Sequence, residues 1–297
     1  MGNTAPANAT QVNPDLFDTD GAIYMGSQRD PAGCRVGLFG VPYDGTTSFR
    51  PGTRFGPAAI RDVSSGLESY CPQLDRDLEE LAFADLGAVD IPFGAPEPVV
   101  AAVKRATEAV LGLGLRPLML GGEHSISSGA VAAVAEQHPE LVLVQLDAHA
   151  DLRHTWLGAH HSHACAMRRC LEVLPSRQLL QIAIRSGTRE EFSELRQSGR
   201  LVAIEQMAAT LRALRGKPLY LTVDLDWFDP AVMAGTGTPE PGGFLWSHFA
   251  ELVEELRHHQ LVAADVVELA PQLDPSGVSS VLAAKVVRSL LLLLGAQ

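Results

Sequence analysis

Three stretches of the chain end in clusters of carboxylates and imidazoles: Gly121-Gly122-Glu123-His124, Asp147-Ala148-His149-Ala150-Asp151 and Asp224-Leu225-Asp226. Each follows a short aliphatic run. In extended backbone, alternate side chains share a side, so Asp147, His149 and Asp151 converge, as do Asp224 and Asp226. Four carboxylates brought together raise one another's pKa and need positive charge. Two divalent cations balance them. The donors are oxygen and imidazole without thiolate, which favours Mn²⁺ over a structural zinc. Two metals about 3.5–4 Å apart activate water at neutral pH, so the predicted chemistry is metal-assisted hydrolysis of an electrophilic carbon or phosphorus.

Each cluster also has a plainer reading. Asp-x-Asp is common in turns, and Gly-Gly-Glu-His alone describes a tight turn with a solvent-facing histidine. Asp-x-His-x-Asp at the end of a buried strand is stronger, because burying that set unpaired is costly. A dinuclear phosphoesterase would want an asparagine–histidine pair at a later strand end, and the sequence has none.

The elements that must position these residues are strands alternating with helices. Candidate strands are Arg35–Gly40, Ala82–Asp85, Pro117–Leu120, Leu141–Asp147, Leu179–Ile184, Leu201–Ile204, Pro218–Asp224 and Leu261–Val267. Between them, Pro98–Leu115, Ser127–Gln137, Ala164–Val173 and Trp246–His259 carry apolar residues at helical spacing. Several strands are apolar on both faces, as parallel strands covered on both sides require. The expectation is an α/β fold: a three-layer α/β/α sandwich around a mainly parallel sheet of about eight strands. Its ligand crevice lies beyond the carboxyl ends of the strands, where the clusters fall. Residues 1–20 read as a tail and 21–297 as one catalytic domain.

Composition narrows the function classes. The 297 residues hold 35 acidic and 23 basic side chains, a formal charge of −12. A chain this acidic lacks the basic face that nucleic acid requires. Its field favours cationic partners. The start has neither an apolar block nor an early arginine, and the apolar C-terminal stretch is broken by Lys285 and Arg288. It is expected to be a buried helix rather than a membrane span. The four cysteines form no C-x-x-C pair, and a reduced cytoplasmic chain is expected.

GGEHS at His124, DAHAD at Asp147–Asp151 and VDLDWFDP at Asp224–Asp226 resemble the ureohydrolase family of arginases, agmatinases and related guanidino-compound hydrolases. GVPYDGTTSFRPGTRFGPAAIR (Gly40–Arg61), SHACAMRR (Ser162–Arg169) and DVVELAP (Asp265–Pro271) resemble the agmatinase branch, in motif order from Arg35 to the C-terminus. The resemblance implies a Mn²⁺ pair with Asp147 and Asp224 bridging, His124 and Asp151 on one metal, and His149 and Asp226 on the other. It implies that Asp151 also passes a proton to the leaving amine. His163 matches the proton-shuttle histidine, with His160 and His161 as competitors. Glu268 matches the acid that holds the guanidinium, and no organic cofactor is implied. Family members are usually homo-oligomers, trimers or hexamers, and the resemblance implies the same for this chain.

For the substrate, an arginase-like chain would be expected to read DAHTDIN, whereas Leu152-Arg153 follows Asp151 here. That points to agmatine, cleaved to putrescine and urea. Arg153 would repel an ammonium tail unless turned away or paired, so guanidinobutyrate, guanidinopropionate and arginine stay open. Its plainer reading is a surface residue on the loop. A catalytically silent homologue would be expected to lose ligands, and all six are present. A deacetylase-like enzyme would carry one zinc and a tandem histidine pair; His160-His161 is such a pair, but the two-metal set argues against it.

Overall fold

The computed structural model describes residues 16–296, so most of the tail expected over 1–20 lies outside the described residues. In chain order the strands are β1 (Phe17–Asp18), β2 (Val36–Val41), β3 (Tyr70–Cys71), β4 (Arg76–Asp77), β5 (Phe83–Val89) and β6 (Arg116–Gly121). They continue with β7 (Val142–Leu146), β8 (Leu179–Ile182), β9 (Leu201–Val202), β10 (Pro218–Asp224) and β11 (Gln260–Val267). The helices are α1 (Gly56–Ser64), α2 (Pro96–Gly112), α3 (Ser127–Gln137), α4 (Ala166–Cys170), α5 (Arg189–Ser198), α6 (Met207–Arg212), α7 (Trp246–Leu256) and α8 (Val278–Gly295).

One sheet of nine strands has the order β1-β5-β2-β6-β11-β10-β7-β8-β9. Eight strands run parallel; the ninth, β1, pairs antiparallel with β5 through Phe17 and Asp18, inside the segment expected to be tail. β3 and β4 form a separate hairpin.

The two-residue period of a strand builds two cores. Val142, Val144 and Leu146 enter one with Leu219, Leu221 and Val223, while Leu141, Leu143 and Tyr220 enter the other. α1, α6, α7 and α8 cover the first layer, and α2, α3, α4 and α5 the second. This two-sided cover explains strands that read as apolar on both faces. α8 is long and apolar enough to cross a membrane by length and composition alone, but 78% of it is buried within the fold, as expected of a core helix.

A buried ion pair ties α1 to the sheet. Arg61 donates from Nε and Nη2 to the two carboxylate oxygens of Asp85 at 2.8 and 2.9 Å. Asp85 also accepts from the backbone N–H of Tyr24 at 2.9 Å, so its lone pairs are well used.

Candidate metal centre

The four central neighbours β6, β11, β10 and β7 each deliver chemistry at their carboxyl ends. His124 follows β6, Asp147–Asp151 follow β7, Asp224 and Asp226 close β10, and Glu268 follows β11. His124, His149, Asp151, Asp224 and Glu268 line one cavity of ≈ 210 Å³, together with Arg153, Trp156 and His163. Asp226 and Asp147 sit buried just behind its wall, against the two histidines.

Simple strand alternation accounts for only part of this convergence. β7 ends at Leu146, and Asp151 reaches the cluster by adopting a left-handed backbone, φ 52°. Glu268 does the same at φ 69°. Non-glycine residues held in this region cost of order 1–3 kcal/mol, a strain that concentrates at functional sites. Asp226 lies in a 3₁₀ turn after β10 rather than in extended chain, and its N–H donates to Asp224 Oδ1 at 2.9 Å.

His124 decides whether a metal fits. Thr222 spends its one hydroxyl hydrogen on Asp265 Oδ1, 2.6 Å away. It therefore accepts from His124 Nε2–H, at 2.8 Å. This network keeps a proton on Nε2, so Nδ1 is the nitrogen whose lone pair a metal ion can take. Nδ1 is buried, has no hydrogen-bond partner, and faces Asp147 Oδ2 at 3.0 Å, Asp151 Oδ2 at 3.2 Å and Asp224 Oδ2 at 3.3 Å. A nitrogen ringed by three carboxylates, with no hydrogen-bond partner of its own, fits a cation at the centre. The second imidazole has similar surroundings, with Nδ1 of His149 2.9 Å from Asp226 Oδ2 and 3.6 Å from Asp147 Oδ1.

These contacts define two adjacent ligand groups, His124–Asp147–Asp151 and Asp147–His149–Asp226. Asp147 belongs to both, so two ions held by them would share it. No cysteine enters either group. Gln145 Nε2 donates to Asp147 Oδ2 at 2.6 Å and takes a bond from Gln181 through its own Oε1, also at 2.6 Å. This buried chain fixes the shared carboxylate.

The electrostatics agree. Burial, then the charge of Asp147, pushes Asp151 up to about 7. Burial and the charges of Asp226 and Asp147 lift Asp224 well above the carboxylate range. Burial opposes a charge on His149, yet Asp226 and Asp147 outweigh it and push its pKa up to about 12. The cluster attracts positive charge strongly.

Glu268 Oε1 accepts the backbone N–H of His124 at 2.7 Å, which anchors the carboxylate at the cavity wall. Burial, then the charge of Glu123, holds its pKa well above the usual value. His163 is half-buried, and its pKa falls to about 4, chiefly through desolvation. It lines the cavity, whereas His160 and His161 do not. Arg153 lines it too, with its guanidinium carbon 3.9 Å from the centroid of the Trp156 ring. No carboxylate among the described residues forms an ion pair with it.

Sequence reasoning missed several of these participants. Thr222 lies inside an apolar strand, and its partner His124 is 98 positions away. Ser48, Ser186 and Thr238 also line the cavity. The segment Gly40–Arg61 delivers Ser48, and Gly122 permits it to approach: a Cβ there would lie 1.8 Å from the Tyr43 carbonyl oxygen. Only glycine fits that crossing.

Residues 34–293 match the arginase family. The chain belongs to that family. It is an agmatinase-like ureohydrolase: 278 residues are 36% identical to the agmatinase of Bacillus subtilis, over 92% of this chain and 96% of that protein. The solved agmatine ureohydrolase of Thermoplasma volcanium superposes with a TM-score of 0.78 at 33% identity, covering 89% of this chain and 90% of that one. The human mitochondrial guanidino acid hydrolase is 33% identical over 89% of this chain and 79% of its own length. The arginase-like sheet, with flanking helices, is the fold of this family.

Proposed function

We propose that this ureohydrolase cleaves agmatine to putrescine and urea, using two Mn²⁺ ions. The observation that carries this reading is Asp147, shared between two His/Asp groups beside a cavity that also holds Glu268. In this reading His124 and Asp151 would hold one ion and His149 and Asp226 the other, with Asp147 and Asp224 as the carboxylates that would serve both. Oxygen-rich ligands without thiolate suit Mn²⁺. When bound, such a pair lowers the pKa of water and supplies a nucleophile at neutral pH.

The remaining work belongs to side chains. Guanidinium is resonance-stabilised, and Glu268 can accept two of its N–H groups in a bidentate grip that localises its charge. Asp151 takes the proton released in the attack and returns it to the departing amine. His163 is neutral at working pH and relays a proton between solvent and that amine.

Agmatine is supported by the similarity to agmatinases and by Leu152-Arg153 after Asp151. Arg153 lies over the Trp156 ring, which holds its charge against the cavity wall. The second reading, a carboxylate-tailed guanidino acid, draws on the same arginine, which has no acid partner among the described residues. A panel of agmatine, arginine, guanidinobutyrate and guanidinopropionate, compared by kcat/KM with Mn²⁺ present, separates the two. Agmatine is expected to lead; a guanidino acid ahead of it would overturn the assignment.

A further inference from the structure

Behind His163 lies a buried hydrogen-bond hub that the reaction scheme above does not use. Glu123 is fully buried and accepts three hydrogen bonds: from Thr46 N at 2.7 Å, Thr46 Oγ1 at 2.5 Å and Ser125 Oγ at 2.5 Å. Three donors converge on this one side chain, two of them on Oε1, so Glu123 is the acceptor throughout and the Thr46 hydroxyl hydrogen points at it. A hydroxyl has one hydrogen and two lone pairs. Towards everything else, Thr46 Oγ1 can only accept.

Both of its remaining contacts come from one residue. His163 donates its backbone N–H to Thr46 Oγ1 at 3.1 Å, and its Nδ1 lies 3.3 Å from the same oxygen. An oxygen that can only accept requires a proton on Nδ1. Ser162 Oγ, 3.4 Å from Nδ1, is the other polar group there and shares that proton as an acceptor. On the opposite edge of the ring, Nε2 meets Ser48 Oγ at 3.3 Å, and Ser48 lines the cavity.

We propose that Glu123 and Thr46 are positioning residues that fix His163 as the Nδ1–H tautomer, leaving Nε2 bare toward the cavity. Nε2 is then the one atom through which His163 exchanges protons with substrate. The tautomer assignment deepens the shuttle role proposed for His163, yet it can be read without any turnover. It also gives the first turn of the Gly40–Arg61 segment a task. Thr46 joins the strand end that carries His124 to the loop that carries His163.

The test is the side-chain ¹⁵N spectrum of His163, assigned by its loss in His163→Gln, together with kinetics of the Mn²⁺-loaded enzyme. The wild type should show protonated Nδ1 and bare Nε2. Thr46→Val keeps the side-chain shape and removes the hub. It should mix the tautomers and lower kcat by roughly ten- to hundredfold, less than the 10²–10⁴ expected for loss of a whole acid–base group. KM and metal content should stay near wild type, and Thr46→Ser should restore both spectrum and rate. A wild-type proton on Nε2 would overturn the proposal, because Ser162 would then be donating to Nδ1. So would an unchanged tautomer in Thr46→Val. If the tautomer is as stated but His163→Gln turns over normally, the tautomer assignment stands and the shuttle role falls.

Discussion

Thr222 Oγ1 lies 2.8 Å from Nε2 of His124, deep in the sheet and on the side of the ring away from the carboxylates. It turns Nδ1 toward Asp147, Asp151 and Asp224. Thr222→Val should remove this orientation with little change in volume. Groups that orient a metal-bound histidine are worth about 10–100-fold in affinity. Calorimetric titration with Mn²⁺ should show a loss of that size at one of two sites, and equal affinity at both would refute the role.

Asp147 is the residue common to both ligand groups. Asp147→Ala should therefore lower the metal content of both sites and abolish urea formation together. Elemental analysis of the purified variant decides it. Full activity with two metals per chain would exclude Asp147 as a shared ligand.

His163 lines the same cavity, and its hydrogen-bond partners are Thr46, Ser48 and Ser162 and none of the proposed ligands. His163→Ala should retain both metals and lose roughly 10²–10⁴ in kcat, the usual contribution of a positioned acid–base group. An unchanged rate would transfer the role to His160 or His161, although neither lines the cavity.

Metal affinity should depend on pH in a definite direction. Burial and Asp147 raise Asp151 to about 7, so its carboxyl increasingly holds a proton as pH falls below that value. Binding must displace this proton. Affinity should therefore weaken as pH drops, by about tenfold per unit for each proton displaced. Calorimetry at pH 6 in buffers of different ionisation enthalpy should register proton release. Binding without it at that pH would contradict the assignment.

The Arg61–Asp85 pair is a stability element away from the chemistry. Both side chains are buried, at 6% and 0% exposure. Removing one partner leaves the other charge uncompensated, which typically costs about 3–5 kcal/mol. Arg61→Ala should lower the denaturant midpoint accordingly, while Arg61→Met with Asp85→Leu should recover much of the loss. A single variant as stable as the parent would show that the pair contributes little.

The sheet was legible because its strands are apolar on both faces and stop at chemically distinctive residues. β6, β7, β10 and β11 fall within a residue or two of their expected bounds at nearly every end. β8 is shorter than expected, because Ala183 turns left-handed at φ 63°, which aliphatic composition does not reveal. α5 was missed because its sequence, REEFSELRQS, buries only Glu191 and Leu195. A signal was present there: Thr188 and Glu191 form a capping box, and Gly199 closes the helix at φ 70°. The proposed ligands were identifiable by type and spacing. Thr222, Thr46 and Glu123 act through partners 77–117 positions away; only the fold brings them together.

In the proposed reaction two metal ions, jointly held, hydrolyse a guanidinium group. Metal-stripped protein should be titrated with Mn²⁺ while urea release from agmatine is followed. Activity should rise until two ions are bound per chain and then level off. Saturation at a single ion, or no urea from agmatine with both sites filled, would contradict the account.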